Sequence, residues 1–149
     1  MRIVIGGDHH GVAYKAEVVK ALTKEGHKVE DVGTSTTDPV DYPDYARIVG
    51  VTVRDGAADA GILICGSGAG VSIAANKIRG VRAALCHDLF TARQSREDDD
   101  ANVLCLGADV VTAEMAVALT RAFVGAHFSG AERHVRRLAK VRALEADKS

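Results

Sequence analysis

Three short runs of this sequence are apolar at every position: Ile3-Val4-Ile5, Ile62-Leu63-Ile64 and Val103-Leu104-Cys105-Leu106. A strand with one face in water alternates apolar and polar residues. An unbroken apolar run rich in branched side chains instead marks a strand covered on both faces. Two further strands are predicted at His27–Val32 and Arg82–Cys86, beside Arg2–Gly6, Ala60–Cys65 and Asn102–Leu106. Helical stretches separate them. Val12, Ala16, Val19 and Leu22 recur at helical spacing, with Gly26 as the closing cap. Pro43 suits the first turn of a helix running to about Arg54 and closed by Gly56, and Asn76 to Arg79 ends another before Gly80. Thr112 is the expected N-cap of a helix to Ala126. Ser129 and Glu132 form a capping-box pattern that opens an extended C-terminal helix toward Ala146.

Strands alternating with helices of this length build right-handed βαβ units and a parallel sheet. The expected fold is therefore α/β: a three-layer α/β/α sandwich with a five-stranded parallel sheet, in one domain over residues 1–149. Trp is absent and aromatics are scarce, so Val, Ile, Leu and Ala must fill the core. A net charge of −1 argues against a general nucleic-acid or anionic-membrane surface. The opening apolar run stops at Gly6, too short for a signal peptide or a membrane span, which points to the cytoplasm. Three cysteines in such a chain read as core residues or reactive thiols rather than a disulfide framework.

In open parallel sheets ligands lie beyond the carboxyl ends of the strands, where strand order reverses. After the first strand comes Gly6-Gly7-Asp8-His9-His10-Gly11. Asp8 alone reads as a turn cap, but Asp8, His9 and His10 together at a strand end read as a ligand site. Cys65-Gly66-Ser67-Gly68-Ala69-Gly70 follows the most hydrophobic strand. Glycines at alternate positions let successive amides point into one small volume, as an anion hole requires. Cys65 stands at its rim, at the start of a helix, a setting that favours a thiolate. A base beside such a hole suits removal of a proton next to a carbonyl, because the enediolate needs those donors. Thiol acyl transfer, or phosphate binding with Cys65 merely in the core, uses the same features. Cys86-His87-Asp88 places His87 within reach of the site, while Cys105 reads as core.

With those segments, Asp41-Tyr42-Pro43-Asp44-Tyr45-Ala46, Ile73-Ala74-Ala75-Asn76-Lys77, Gly80-Val81-Arg82-Ala83, Asn102-Val103-Leu104 and Arg133-His134 with Arg137 occur in order. Over almost its whole length the chain resembles the ribose-5-phosphate isomerase B family, which also holds the galactose-6-phosphate isomerase subunits. The resemblance implies a Rossmann-like fold and an aldose–ketose isomerase of carbohydrate metabolism, in the pentose phosphate pathway. It implies a homodimer, or a pair of dimers, with sites at the subunit interface and neither metal nor organic cofactor. Cys65 would move the proton between C1 and C2, with Ser67 and the amides around Gly66, Gly68 and Gly70 holding the enediolate. Asp8 would contact sugar hydroxyls, His9, Arg133 and Arg137 the phosphate, and Tyr42 and Asn76 the pocket wall. Relatives that use a carboxylate base carry it where this chain has Val71. Arg133 and Arg137, four residues apart, share a helix face and suit a phosphate clamp, although a solvated basic face with Arg136 and Lys140 looks the same.

Two positions depart from the family pattern. Asp98, followed by Asp99, stands where relatives carry a histidine thought to open the sugar ring; a carboxylate of raised pKa, or His87, would have to serve. Asp109 stands where an arginine commonly helps bind phosphate. The expected substrate is D-ribose 5-phosphate, with a tetrose 4-phosphate, a hexose 6-phosphate or a free aldose as alternatives. Outside this class, a nucleotide-binding α/β module, a receiver domain, or a metal-dependent isomerase using Asp8, His9 and residues 98–100 shares parts of the pattern.

Overall fold

The computed structural model describes residues 1–147. Strands β1 (Arg2–Gly7), β2 (Lys28–Asp31), β3 (Ala60–Cys65), β4 (Ala83–Leu85) and β5 (Val103–Gly107) form one parallel sheet in the order β2-β1-β3-β5-β4. The three continuously apolar runs are the three inner strands, whose side chains meet helices on both sides. Alternation along β3 sends Ile62 and Ile64 into one core and Leu63 and Cys65 into the other. The first core is closed by α1 (Val12–Lys24), α4 (Leu89–Asp99) and α5 (Ala113–Val124), the second by α2 (Tyr42–Arg54) and α3 (Ala69–Ala75). A final helix, α6 (Glu132–Ala146), packs against α4. The α/β/α sandwich is as expected. No helix among the described residues is long and apolar enough to cross a membrane.

Local signals set most element ends. Pro43 lies in the first turn of α2, and the Thr112 hydroxyl accepts from the Met115 N–H to cap α5. Three details differ from expectation. On α1 the buried stripe is Lys15, Val18 and Leu22, and Ala16 is exposed. Lys15 qualifies because its ammonium donates to Asp31 (2.8 Å) and to the Thr34 carbonyl (2.6 Å). Helix α3 stops at Ala75 with Asn76 as its C-cap, and the chain to Gly80 continues as turns. Its amide is spent on β4: it donates to the Ala83 carbonyl (3.0 Å) and accepts from the Ala83 N–H (2.8 Å). The capping box also fails. Helix α6 starts from Ala131, because the Ser129 hydroxyl instead accepts from the Ala131 N–H (3.1 Å) and lies 2.5 Å from Nδ1 of buried His134.

Phe123 is the largest fully buried side chain, and the Arg96 guanidinium stacks 5.0 Å from its ring. Phe123→Ala should lower the unfolding free energy by about 3–5 kcal/mol, read from the midpoint of a urea titration.

Candidate active site

Strand order reverses between β1 and β3: the chain leaves β1 for the β2 edge, and β3 leads to the other. The carboxyl ends of these two strands diverge into Asp8 and Cys65, so both predicted ligand segments meet at one point. The Cys65 side chain faces the α2–α3 core and is 4% exposed. Its sulfur accepts from the Gly68 N–H at 3.2 Å, inside the turn that the glycine loop makes before α3. That turn needs Gly68: its φ is +81°, and a Cβ there would stand 2.8 Å from the Leu106 carbonyl carbon. The Ser67 hydroxyl accepts from the Ala69 N–H (3.2 Å), and the first intrahelical bond of α3 runs from Ser72 N–H to the Gly68 carbonyl.

Several predicted residues gather round this loop. Tyr42, at the start of α2, lays its ring over Gly70, where a Cβ would be 2.6 Å from the ring. Asp8 is buried; its Oδ1 accepts from the His10 N–H (3.0 Å) and caps the short turn His9–Gly11. His9 Nδ1 accepts from the Val40 N–H (3.2 Å), which leaves Nε2–H as its outward donor. Asp8, His9, Tyr42 and Pro43 line an open cleft of about 530 Å³. His87 is half-buried, with Nε2 accepting from the Gly107 N–H (2.9 Å).

The other predicted residues stand elsewhere in the chain. Helix α4 begins at the carboxyl edge of the sheet and runs back for 11 residues, roughly 16 Å. Asp98 and Asp99 therefore lie toward the opposite edge from Cys65. Asp98 accepts from the Gln94 amide (2.9 Å) and stands 3.6 Å from His134 Nε2. Asp99 and Asn76 border a separate hollow of about 370 Å³ against α6. Arg133 and Arg137 flank buried His134 on α6 with both side chains exposed. One chain thus brings together Asp8, His9, Tyr42, Cys65, the glycine loop and His87, and leaves Asn76, Asp98, Asp99, Arg133 and Arg137 apart. Among the described residues no three His, Cys, Asp or Glu are grouped as a metal site.

Sequence reasoning marked one wall of the site only through Asp109, as a departure from the family pattern. The loop after β5 lies beside Cys65, because β5 is the neighbour of β3: a Cβ at Gly107 would touch the Ser67 carbonyl group at 2.5 Å. Asp109 follows, with Oδ2 3.8 Å from His10 Nδ1 and 3.0 Å from where a Gly66 Cβ would be. Gly107 directly after an apolar run was the available signal.

A protein-family model described as Ribose/Galactose Isomerase matches residues 3–141. The chain belongs to that family. It is 43% identical over 144 residues to ribose-5-phosphate isomerase B of Escherichia coli K12, covering 97% of this chain and 96% of the relative. It is 42% identical over 131 residues to D-erythrulose-4-phosphate isomerase 2 of Mycolicibacterium smegmatis, covering 86% of each. Ribose-5-phosphate isomerase B of Clostridium thermocellum has the same fold, with a TM-score of 0.97, 44% identity and 100% of both chains covered. Family and fold make this chain an aldose–ketose isomerase.

Within an isomerase of this family the three thiols are not equivalent. Burial pushes the Cys105 thiol far up, with the neighbouring Cys65 and Cys86 adding to it. Burial also raises Cys86, against a lowering hydrogen bond with Ser95. Iodoacetamide at neutral pH should alkylate Cys65 before Cys86 or Cys105, as peptide mass spectrometry would read. Labelling of Cys86 first would contradict the assignment.

Proposed function

We propose that this isomerase interconverts D-ribose 5-phosphate and D-ribulose 5-phosphate through an enediolate, with Cys65 as the base. The observation that carries this reading is the Cys65 sulfur at the mouth of the glycine loop, 3.2 Å from the Gly68 amide. In the open-chain aldose the thiolate takes the C2 proton, and the electrons move onto O1 as the enediolate forms. The loop amides and the Ser67 hydroxyl hold that charge. The thiol returns the proton to C1, the O2 hydrogen passes to O1, and C2 becomes the carbonyl. Asp8 has one oxygen engaged by His10 and one left for a sugar hydroxyl. His9 offers Nε2–H to the phosphate, and His87 offers Nδ1–H.

A phosphate needs more positive charge than these histidines provide. Arg133 and Arg137 are exposed on the far side of the same chain. The reading therefore includes a homodimer in which a second copy brings its Arg133 and Arg137 to the mouth, with Asp98 and Asp99 alongside. The working unit is a single domain of residues 1–149 in the cytoplasm, without metal or cofactor. A tetrose 4-phosphate is the second reading, favoured by the likeness to D-erythrulose-4-phosphate isomerase 2.

Proton NMR in D2O would follow exchange at C1 and C2 of ribose 5-phosphate and of erythrose 4-phosphate. Cys65→Ala should lower the rate by roughly 100- to 10,000-fold with the fold retained. Near wild-type exchange in that variant would remove Cys65 as the base. Exchange with the tetrose alone would transfer the assignment to the second reading.

A further inference from the structure

An aldopentose 5-phosphate in water is almost entirely a furanose, held closed by a bond from C1 to O4. The proton on C2 becomes acidic only when C1 is a free carbonyl, so ring opening must precede the enediolate. Opening needs one group that takes the proton of the O1 hydroxyl and returns a proton to O4. Cys65 is committed to C2 in the reading above. Two histidines at the mouth are tied to one tautomer: His9 Nδ1 accepts from the Val40 N–H, and His87 Nε2 accepts from the Gly107 N–H. Each is left with only an N–H donor free, and neither takes up a proton without breaking a backbone hydrogen bond. Asp98 of the same chain stands toward the other edge of the sheet, and in either copy its carboxylate is already engaged: Oδ2 accepts from the Gln94 amide at 2.9 Å and Oδ1 lies 3.6 Å from His134 Nε2.

His10 has neither restraint. Its main-chain N–H is held by Asp8, but its ring is half-exposed beside Gly66, the residue after the base. Nδ1 faces the Asp109 carboxylate at 3.8 Å, which places the proton of the neutral ring on Nδ1. The His9 ring lies 4.4 Å away, tilted by 40°. Nε2 is left as the acceptor.

We propose that His10, whose ring stands beside Gly66 and the Asp109 carboxylate, is the acid–base group that opens the sugar ring. The inference rests on the pentose 5-phosphate reading. Nε2 takes the O1 proton, C1=O1 forms as the C1–O4 bond breaks, and the imidazolium delivers the proton to O4. No net proton is gained or lost, and the open aldehyde is handed to Cys65.

Ribulose 5-phosphate separates the two steps. Its O5 carries the phosphate, so it forms no furanose and presents its carbonyl already open. His10→Gln and Asp109→Asn would each be assayed for turnover of ribose 5-phosphate and for D2O exchange at C1 of ribulose 5-phosphate. The expected result is a loss of about 10-fold or more in kcat/KM for ribose 5-phosphate in both variants, with C1 exchange within about twofold of wild type. Equal losses on both substrates would reduce His10 to a structural residue, and unchanged turnover of ribose 5-phosphate would remove it from the reaction. Asp109 is largely exposed, so Asp109→Asn tests the pair without risk to the turn that holds His10. If wild type fails to exchange C1 of ribulose 5-phosphate, the pentose reading itself falls. If wild type exchanges it and the variants show no split, only the ring-opening role falls.

Discussion

The site depends on how the end of β3 is gripped. Three consecutive carbonyls there, of Ile64, Cys65 and Gly66, accept from the N–H groups of Asp8, Ala108 and Asp109. One donor comes from the segment after β1 and two from the segment after β5. Such close approach is possible because neither flank carries a Cβ at the critical place: at Gly7 one would fall 2.2 Å from the Ile64 carbonyl oxygen, and at Gly107 2.5 Å from the Ser67 carbonyl carbon. With its carbonyls satisfied on both sides, the strand end has no slack. The loop must turn at once, and the turn delivers the Gly68 amide to the Cys65 sulfur. A loosely held strand end would leave that N–H without a fixed direction, and preorganised donors are what an enediolate requires.

The same grip explains why so many polar groups converge on one edge of an apolar sheet. Asp8 and Asp109 take part in it through their main chains, which leaves the Asp8 side chain to line the cleft and the Asp109 carboxylate to face His10. His9 is held one step further out, by the Val40 amide at the end of the loop after β2. That loop is anchored at its start by Lys15, whose buried ammonium bridges Asp31 and Thr34. A buried lysine is costly unless paired, and here the pair lies between a helix and the loop that carries the histidine's partner.

What the sequence made legible follows from range. The inner strands, the helix starts at Pro43 and Thr112 and the glycine loop are written in neighbouring residues, and the structure has them where expected. Lys15 broke the helix-face reading because its partners, Asp31 and Thr34, lie 16 and 19 residues away. Ser129 broke the capping box for a similar reason: its hydroxyl is engaged with buried His134, a tertiary contact no local pattern contains. The β5 loop showed in the sequence only as a departure from the family pattern at Asp109, because its place beside Cys65 depends on strand order, and the crossover that inserts β5 between β3 and β4 leaves no local mark. Asn76, a pocket residue by the family resemblance, spans both backbone groups of Ala83 with its amide, a pairing no local pattern announces.

Charge placement bears on how the proposed reaction is assembled. Round the ends of β1 and β3 a single chain presents the carboxylates of Asp8 and Asp109 with three histidines. Such a mouth suits hydroxyls and proton transfer but repels a phosphate dianion, whose attraction to a cation at about 4 Å is worth several kcal/mol where water is partly excluded. The chain's exposed arginine pair lies on α6, beyond α4. Keeping strong cations away from the thiol within one chain, and supplying them across a two-fold contact, would let the anionic end of a substrate bind without placing a guanidinium beside His10. A fixed positive charge there would oppose the imidazolium that the proposed ring opening has to form.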